Sequence, residues 1–304
     1  MLEKVNHKVN ELRYFLNLSH SFTSGAERVD RVLDHPLSKA KLRLVSVYMG
    51  YKNRNLFDDV QKYCMFVGYP RSGHSLIGAL LDAHPNAVIA HELHALRFIE
   101  AGFSRKQLWY LLLENSRAFA ANGRTWERYS YEVPHQWQGR FSTLRIIGDK
   151  KGGGTTRMLS TNPQLIQRLQ QTIGTEIRYL HVVRNPYDNI TTIHQNNKLS
   201  LPESIDNYFV LCKAVTHFKQ LIPASHVLDV RYEEFVENPS PGLKRICHFL
   251  DLEAEDNYLA DCAGIIFKSP RPSRYKIEWD SDNIERVKTW IRKFPFLKGY
   301  SYEA

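Results

Sequence analysis

Residues 68–75 read Gly-Tyr-Pro-Arg-Ser-Gly-His-Ser, and no other stretch of the chain constrains its fold so tightly. The octet fits the phosphate-loop spacing G-x-x-x-x-G-K-[ST] at every position but one, with His74 where the lysine would stand. The preceding run, Tyr63–Val67, is short and apolar, as a buried parallel strand is. The following stretch, from Ser75, reads as a helix. A tight turn between strand and helix aims successive backbone N–H groups at one point, where the helix dipole adds partial positive charge. The loop is therefore expected to hold a phosphate-like anion, and the absent lysine argues against an ordinary nucleoside triphosphate.

The same alternation continues along the chain. Further strands are expected at Ala87–Ala90, Leu144–Gly148, Ile177–Val183 and Val227–Arg231. Helices are expected at Ser75–Ala83, 186–196, Pro202–Leu221, Pro241–Leu250 and Asp282–Arg292, several opened by a proline that suits the first helical position. Strands separated by helices imply right-handed crossovers and a parallel sheet covered on both faces. The predicted fold class is α/β, three-layered, with a central parallel sheet of about five strands flanked by helices and a nucleotide-binding phosphate loop. Ligands on such sheets bind at the carboxyl ends of the strands.

Residues 1–60 are expected to form an N-terminal helical segment packed on the body, because Leu2, Val5, Val9, Leu12 and Leu16 recur at spacings of three and four. A homodimer through this helix is the alternative. Residues 61–304 are read as one domain. Within it, about 100–141 forms an insertion rich in rings: Trp109, Tyr110, Trp126, Tyr129, Tyr131, Trp137 and Phe141. These rings serve either as core or as a lid over an acceptor.

Net charge is +9 with a pI near 9.3, so an anionic partner is expected. The cations are spread along the chain rather than massed in a tail, which argues against nucleic acid. The cysteines Cys64, Cys212, Cys247 and Cys262 have no C-x-x-C spacing, so free thiols in a reducing compartment are expected. The start of the chain is polar, and no apolar run approaches the roughly 20 residues that span a bilayer. The expectation is a soluble, cytoplasmic protein with no membrane partner.

Three further segments join the phosphate loop. Arg184-Asn-Pro-Tyr-Asp188 follows a strand, offering a guanidinium beside helix N–H groups, and Thr192 lies two helical turns on. Val230-Arg-Tyr-Glu-Glu-Phe235 links the last strand to a helix and reads as structural, with Arg231 and Glu233 placed to pair. Lys268-Ser-Pro-Arg-Pro-Ser-Arg274 is a basic loop, either a solvated connector or a flap over an anion.

This combination resembles the sulfotransferases that use 3′-phosphoadenosine 5′-phosphosulfate (PAPS). The resemblance runs from Gly68 to about Tyr275. It implies that Arg71, Ser72, Gly73, His74, Ser75 and Leu76 hold the 5′-phosphosulfate, with His74 a donor beside it where the family usually has Thr. It implies that Arg184 and Thr192 hold the 3′-phosphate, and that Lys268, Arg271 and Arg274 close over it. The expected reaction is in-line transfer of a sulfuryl group to a hydroxyl of a small-molecule or glycan acceptor, leaving PAP and needing no metal. Glu92, in His91-Glu-Leu-His94, is the expected base, its place 21 residues after Arg71 resembling that of the catalytic Glu in the tyrosyl-protein branch. His91 and His94 are rivals for that role. Lys150, with Lys151 as rival, is the expected electrophile at the leaving oxygen. The run Gly152-Gly153-Gly154 is expected to let backbone pass close to a ligand. The alternatives are a P-loop kinase, with Asp149 as a magnesium-binding carboxylate, and a non-catalytic nucleotide- or polyanion-binding module.

Overall fold

The computed structural model describes residues 25–126, 129–267 and 269–303. The apolar repeat from Leu2 to Leu16 and the cation Lys268 lie outside the described residues. Five parallel strands form the central sheet: β1 (Lys62–Val67), β2 (Ala87–His91), β5 (Ile146–Lys150), β6 (Glu176–Val183) and β7 (Val227–Arg231), in the order β2-β5-β1-β6-β7. A separate antiparallel pair, β3 (Thr125–Trp126) and β4 (Tyr129–Ser130), lies in the insertion.

Strand β1 shows why the sheet needs cover on both sides. Tyr63, Met65 and Val67 join one buried cluster, while Cys64 and Phe66 join the other, as the period of two requires. The first cluster is packed by α1 (Gly25–Asp34), α2 (Pro36–Lys52), α4 (Ala95–Glu100), α5 (Arg105–Ala121) and α7 (Gln164–Ile173). The second is packed by α3 (His74–Asp82), α11 (Pro239–Phe249) and α12 (Asp256–Gly264). A third buried cluster gathers α8 (Pro186–Asn197), α9 (Leu201–Gln220) and α13 (Ser281–Ile291) around Tyr69 and Val183. Two short helices complete the sheet's rim: α6 (Gly152–Thr161) directly after β5, and α10 (Tyr232–Glu237) directly after β7.

The α/β three-layer architecture is as expected, with three differences of detail that bear on the site. Strand β5 runs two residues later than Leu144–Gly148, so Lys150 is its last residue and pairs with His91. The glycine run opens helix α6 instead of remaining loop. In the insertion, Trp109 and Tyr110 are core, whereas Tyr129 and Trp137 are exposed, so its rings divide between the two expected uses. All four cysteines are buried and free. Among the described residues no helix is long and apolar enough to cross a membrane.

Candidate functional site

The carboxyl ends of the five parallel strands bring Gly68–Ser75, Glu92, Lys150–Lys151, Arg184 and Tyr232 to one edge of the sheet. The phosphate loop gets its shape from left-handed backbone at Gly68 (φ 131°), Arg71 (φ 69°) and Gly73 (φ 102°). Only glycine fits at 73, because an added Cβ would lie 2.3 Å from a ring carbon of Tyr232. The loop is pinned from outside. Thr156 accepts the Gly68 N–H at 2.7 Å, and the Asn189 side-chain amide donates to the Pro70 carbonyl at 3.1 Å. His74, Ser75 and Leu76 stand in the first turn of α3, whose N–H groups have no acceptor within the helix.

The His74 side chain does not turn toward that opening. Its Nε2 lies 3.0 Å from the Val67 carbonyl, which can only accept, so Nε2 carries the proton. Burial drives the ring's pKa down to about 3, leaving Nδ1 as a lone pair that accepts from the Ser72 hydroxyl at 3.0 Å. The same hydroxyl lies 2.9 Å from the Tyr69 carbonyl, so its one proton is divided between two acceptors. Space for the ring comes from Gly68 and Gly152: a Cβ on Gly152 would sit 2.5 Å from the imidazole Cε1. The glycine run is therefore there for packing under the loop. The expected role of His74 as a side-chain donor beside the anion does not fit this position; what residue 74 has to offer outward is its backbone N–H.

Glu92 sits at the end of β2 in left-handed backbone (φ 59°), as does His94 (φ 62°). The turn is held by buried Asp149, which accepts from the Leu93 N–H at 3.1 Å and the Ala95 N–H at 2.7 Å. Burial lifts the Asp149 pKa to about 6. With both carboxylate oxygens committed to this turn, Asp149 is not the site-facing metal ligand that a kinase reading requires. Lys150 donates to Glu92 Oε1 at 2.7 Å and to the Ser75 hydroxyl at 2.9 Å, so it joins the carboxylate to the first turn of α3. Lys151 pairs with the other carboxylate oxygen. Burial alone would raise the Glu92 pKa, but the charges of Lys150 and then Lys151 outweigh it and hold the carboxyl well below its ordinary range. Burial lowers the pKa of Lys150, against the pull of Glu92.

The two histidines beside Glu92 differ. The His91 ring stacks on Phe119 at 4.0 Å and meets the Trp126 edge at 4.8 Å, inside the aromatic insertion. His94 is buried, its pKa lowered to about 4 by burial and then by Lys151, and neither ring nitrogen has a hydrogen-bond partner.

On the other side of the loop, Arg184 follows β6. Its guanidinium donates to the Arg71 carbonyl at 3.1 Å, the Arg271 carbonyl at 3.0 Å and the Ser273 hydroxyl at 3.1 Å, and lies 5.6 Å from the Tyr232 ring. It thus ties the phosphate loop to the late basic loop. Thr192 lies two turns along α8, its hydroxyl bonded back to the Asp188 carbonyl at 2.8 Å. Arg274 is not a free cation of a flap: it is buried and paired with Asp188 at 2.8 Å. Arg271 stacks over Phe267 at 3.9 Å.

The Val230–Phe235 segment also differs from its expected pairing. Arg231 pairs with Glu234 at 3.0 Å, leaving Glu233 to accept the Asn185 N–H at 2.8 Å and the Tyr300 hydroxyl at 2.7 Å. Tyr232, Glu233, Asp149, Asp188 and Asn189 all shape the site in ways the sequence did not assign: Asp149 stood only as a metal-binding carboxylate, Glu233 only as a partner of Arg231, and Tyr232, Asp188 and Asn189 had no role. All five lie within or directly beside the motifs, but what each one touches depends on pairing between distant elements.

A family model described as the sulfotransferase family matches residues 65–256, which is most of the chain and takes in the phosphate loop, Glu92, Lys150–Lys151, Arg184 and Tyr232 but not the late loop or Tyr300. The chain belongs to the sulfotransferase family. Among solved structures it is similar to the sulfotransferase domain of the Synechococcus PCC 7002 olefin synthase, with 18% identity, a TM-score of 0.45, and coverage of 76% of this chain and 95% of that one. It is also similar to a sulfotransferase from Alicyclobacillus acidocaldarius (16%, TM-score 0.44, coverage 77% and 92%). A third likeness is mouse sulfotransferase SULT7A1 in complex with PAP (14%, TM-score 0.43, coverage 79% and 87%). No curated protein matches the sequence.

Proposed function

We propose that this sulfotransferase moves the sulfuryl group of PAPS to a hydroxyl of a small-molecule or glycan acceptor, with Glu92 as general base. The observation that carries the proposal is the bridge from Ser75 through Lys150 to Glu92, which links the first turn of α3 to a half-buried carboxylate. An alcohol is a poor nucleophile, and a carboxylate held ionised at the strand end takes its proton as the oxygen attacks sulfur. The bond between sulfur and the bridging oxygen then breaks, and the leaving phosphate gains charge. Lys150, the Ser75 hydroxyl and the first-turn N–H groups of α3 meet that charge. Drawing Lys150 toward the anion loosens its grip on Glu92, so the carboxylate becomes a stronger base when the donor is in place.

The backbone of Arg71 to Leu76 fits a phosphosulfate, with its left-handed residues and free helix start. Arg184 and Arg271 are assigned to the 3′-phosphate, with Thr192 beside them. Arg274 supports this corner through Asp188. Lys151 is assigned to hold Glu92 ionised.

Adenosine 3′,5′-bisphosphate should raise the melting temperature without magnesium. No shift at saturating bisphosphate would overturn the donor assignment. Glu92→Gln should lower turnover by about 100-fold or more, while bisphosphate affinity is kept. Undiminished turnover would move the base to His94, whose ring nitrogens are unengaged.

A further inference from the structure

His94 stands two residues past Glu92 on the same turn, with its imidazole unengaged. The residue is 6% exposed, and among the buried histidines described it alone has both ring nitrogens without a hydrogen-bond partner. A buried polar group left unpaired costs stability, as does the left-handed backbone (φ 62°) that carries it. The fold nevertheless fixes this placement: the Leu93 and Ala95 N–H groups, on either side, both donate to Asp149. The ring's Nε2 faces the third glycine of α6. A Cβ on Gly154 would lie 3.2 Å from that nitrogen and 3.1 Å from the Lys151 side chain, so glycine leaves the space beside Nε2 open. Gly152 and Gly153 make room for His74 and Pro70; Gly154 makes room for neither.

We propose that His94 is a specificity-determining residue whose Nε2 takes a second hydroxyl of the acceptor, beside the one that Glu92 deprotonates, so that the acceptor is a polyol. This assignment rests on Glu92 as the base and narrows the acceptor class which that reading leaves broad. Charge decides between a hydroxyl and an anionic group. Burial and then Lys151 keep the ring neutral, with a pKa of about 4, against the opposing pull of Asp30 and Glu92. A neutral imidazole offers one donor and one acceptor, and a hydroxyl can use either. A carboxylate or phosphate would call for a cation, and the cations around the ring are already paired: Lys151 with Glu92, and Arg97 with Asp30 and Glu100. Glu92 and His94 are separated by one residue of a single turn, so the two hydroxyls belong on neighbouring carbons. A vicinal diol meets these conditions, and a lone alcohol leaves His94 unpaired.

The test follows sulfuryl transfer from PAPS to cis-1,2-cyclohexanediol and to cyclohexanol by mass spectrometry of the products. The full-length chain should use the diol with a kcat/KM about tenfold or more above that of the mono-ol, the gap lying in KM. His94→Asn suits left-handed backbone but withdraws Nε2, and it should raise KM for the diol about tenfold and close the gap. His94→Gln, whose amide nitrogen reaches about as far as Nε2, should restore most of the preference. Gly154→Ala favours the helix and so keeps the fold, yet its methyl crowds Nε2 and should raise KM for the diol several-fold. Equal use of the two alcohols by the unaltered chain would overturn the proposal, as would a gap that survives His94→Asn. A loss of kcat shared by both alcohols in His94→Asn would also overturn it and make His94 the base. Transfer to neither alcohol, while bisphosphate still raises the melting temperature, would sink the polyol class and leave the donor assignment standing. Without that melting shift both fall.

Discussion

A neutral imidazole buried under a phosphate loop makes stability depend on pH in one direction. The His74 pKa is about 3 in the folded chain against an ordinary 6.5, because burial penalises the charged ring. The unfolded chain therefore binds the extra proton first, and the contribution of this site is present above pH 6.5 and lost as pH falls toward 3. His94, lowered to about 4, adds the same sign. Asp149, raised to about 6, has the opposite sign: its contribution is present below its ordinary 3.8 and lost as pH rises through 6. Replacing His74→Gln should accordingly flatten the fall in denaturant midpoint between pH 6.5 and 3 without abolishing it; an unchanged slope would mean that the ring is not held neutral. The octet shows in the sequence that residue 74 departs from the lysine pattern. It does not show where the ring goes, because that is decided by Gly152, far along the chain.

At the level of elements, helix α6 shows tertiary packing overriding local preference. Three glycines at a helix start are poor helix formers, and a sequence reading leaves them as loop. They form helix because the loop passes against them: Gly152 makes room for His74, and a Cβ on Gly153 would lie 2.9 Å from the Pro70 ring. Gly152→Ala should therefore destabilise the chain by about 1–3 kcal/mol, an overpacking cost. Combining it with His74→Ala should recover part of that loss, since residues in contact are coupled by about 0.5–3 kcal/mol. Additive losses in urea melts would show that the two positions do not share the space. The strands were legible because each has an apolar stretch bounded by turn residues or helices, uninterrupted in Tyr63–Val67 and Ala87–Ala90 and broken by a charged or polar residue in β6 and β7. Their ends were less so: β5 extends through Asp149 and Lys150, charged residues that read as loop until Lys150 is seen to pair with His91 in the sheet. Pairing Arg231 with Glu233 failed for a related reason, since the Val183–Arg231 register brings Glu233 to Asn185 instead.

Across the whole molecule, the site is closed by chain segments far apart in sequence. Arg184 joins the phosphate loop to the late loop, and Arg274 fastens that late loop to α8 through Asp188. The late loop's cations were legible as a set, but their division of labour was not, because composition does not say which one meets a buried carboxylate. Arg274 and Asp188 are both nearly inaccessible, with side chains 8% and 5% exposed. Removing one partner leaves a buried charge uncompensated, which costs about 3 kcal/mol or more. Arg271 has no such partner role and rests on an exposed ring, that of Phe267. The two arginines should therefore separate cleanly. Arg274→Gln should lower the melting temperature markedly, with weaker bisphosphate binding as a consequence of a loosened loop. Arg271→Ala should leave the melting temperature within error and weaken bisphosphate affinity about tenfold, the loss of one charged hydrogen bond. Calorimetric melting and titration of both variants decide the matter. If Arg271→Ala binds normally while Arg274→Gln loses affinity without losing stability, the ligand-facing cation is Arg274, and the Asp188 pair gives way when the anion arrives.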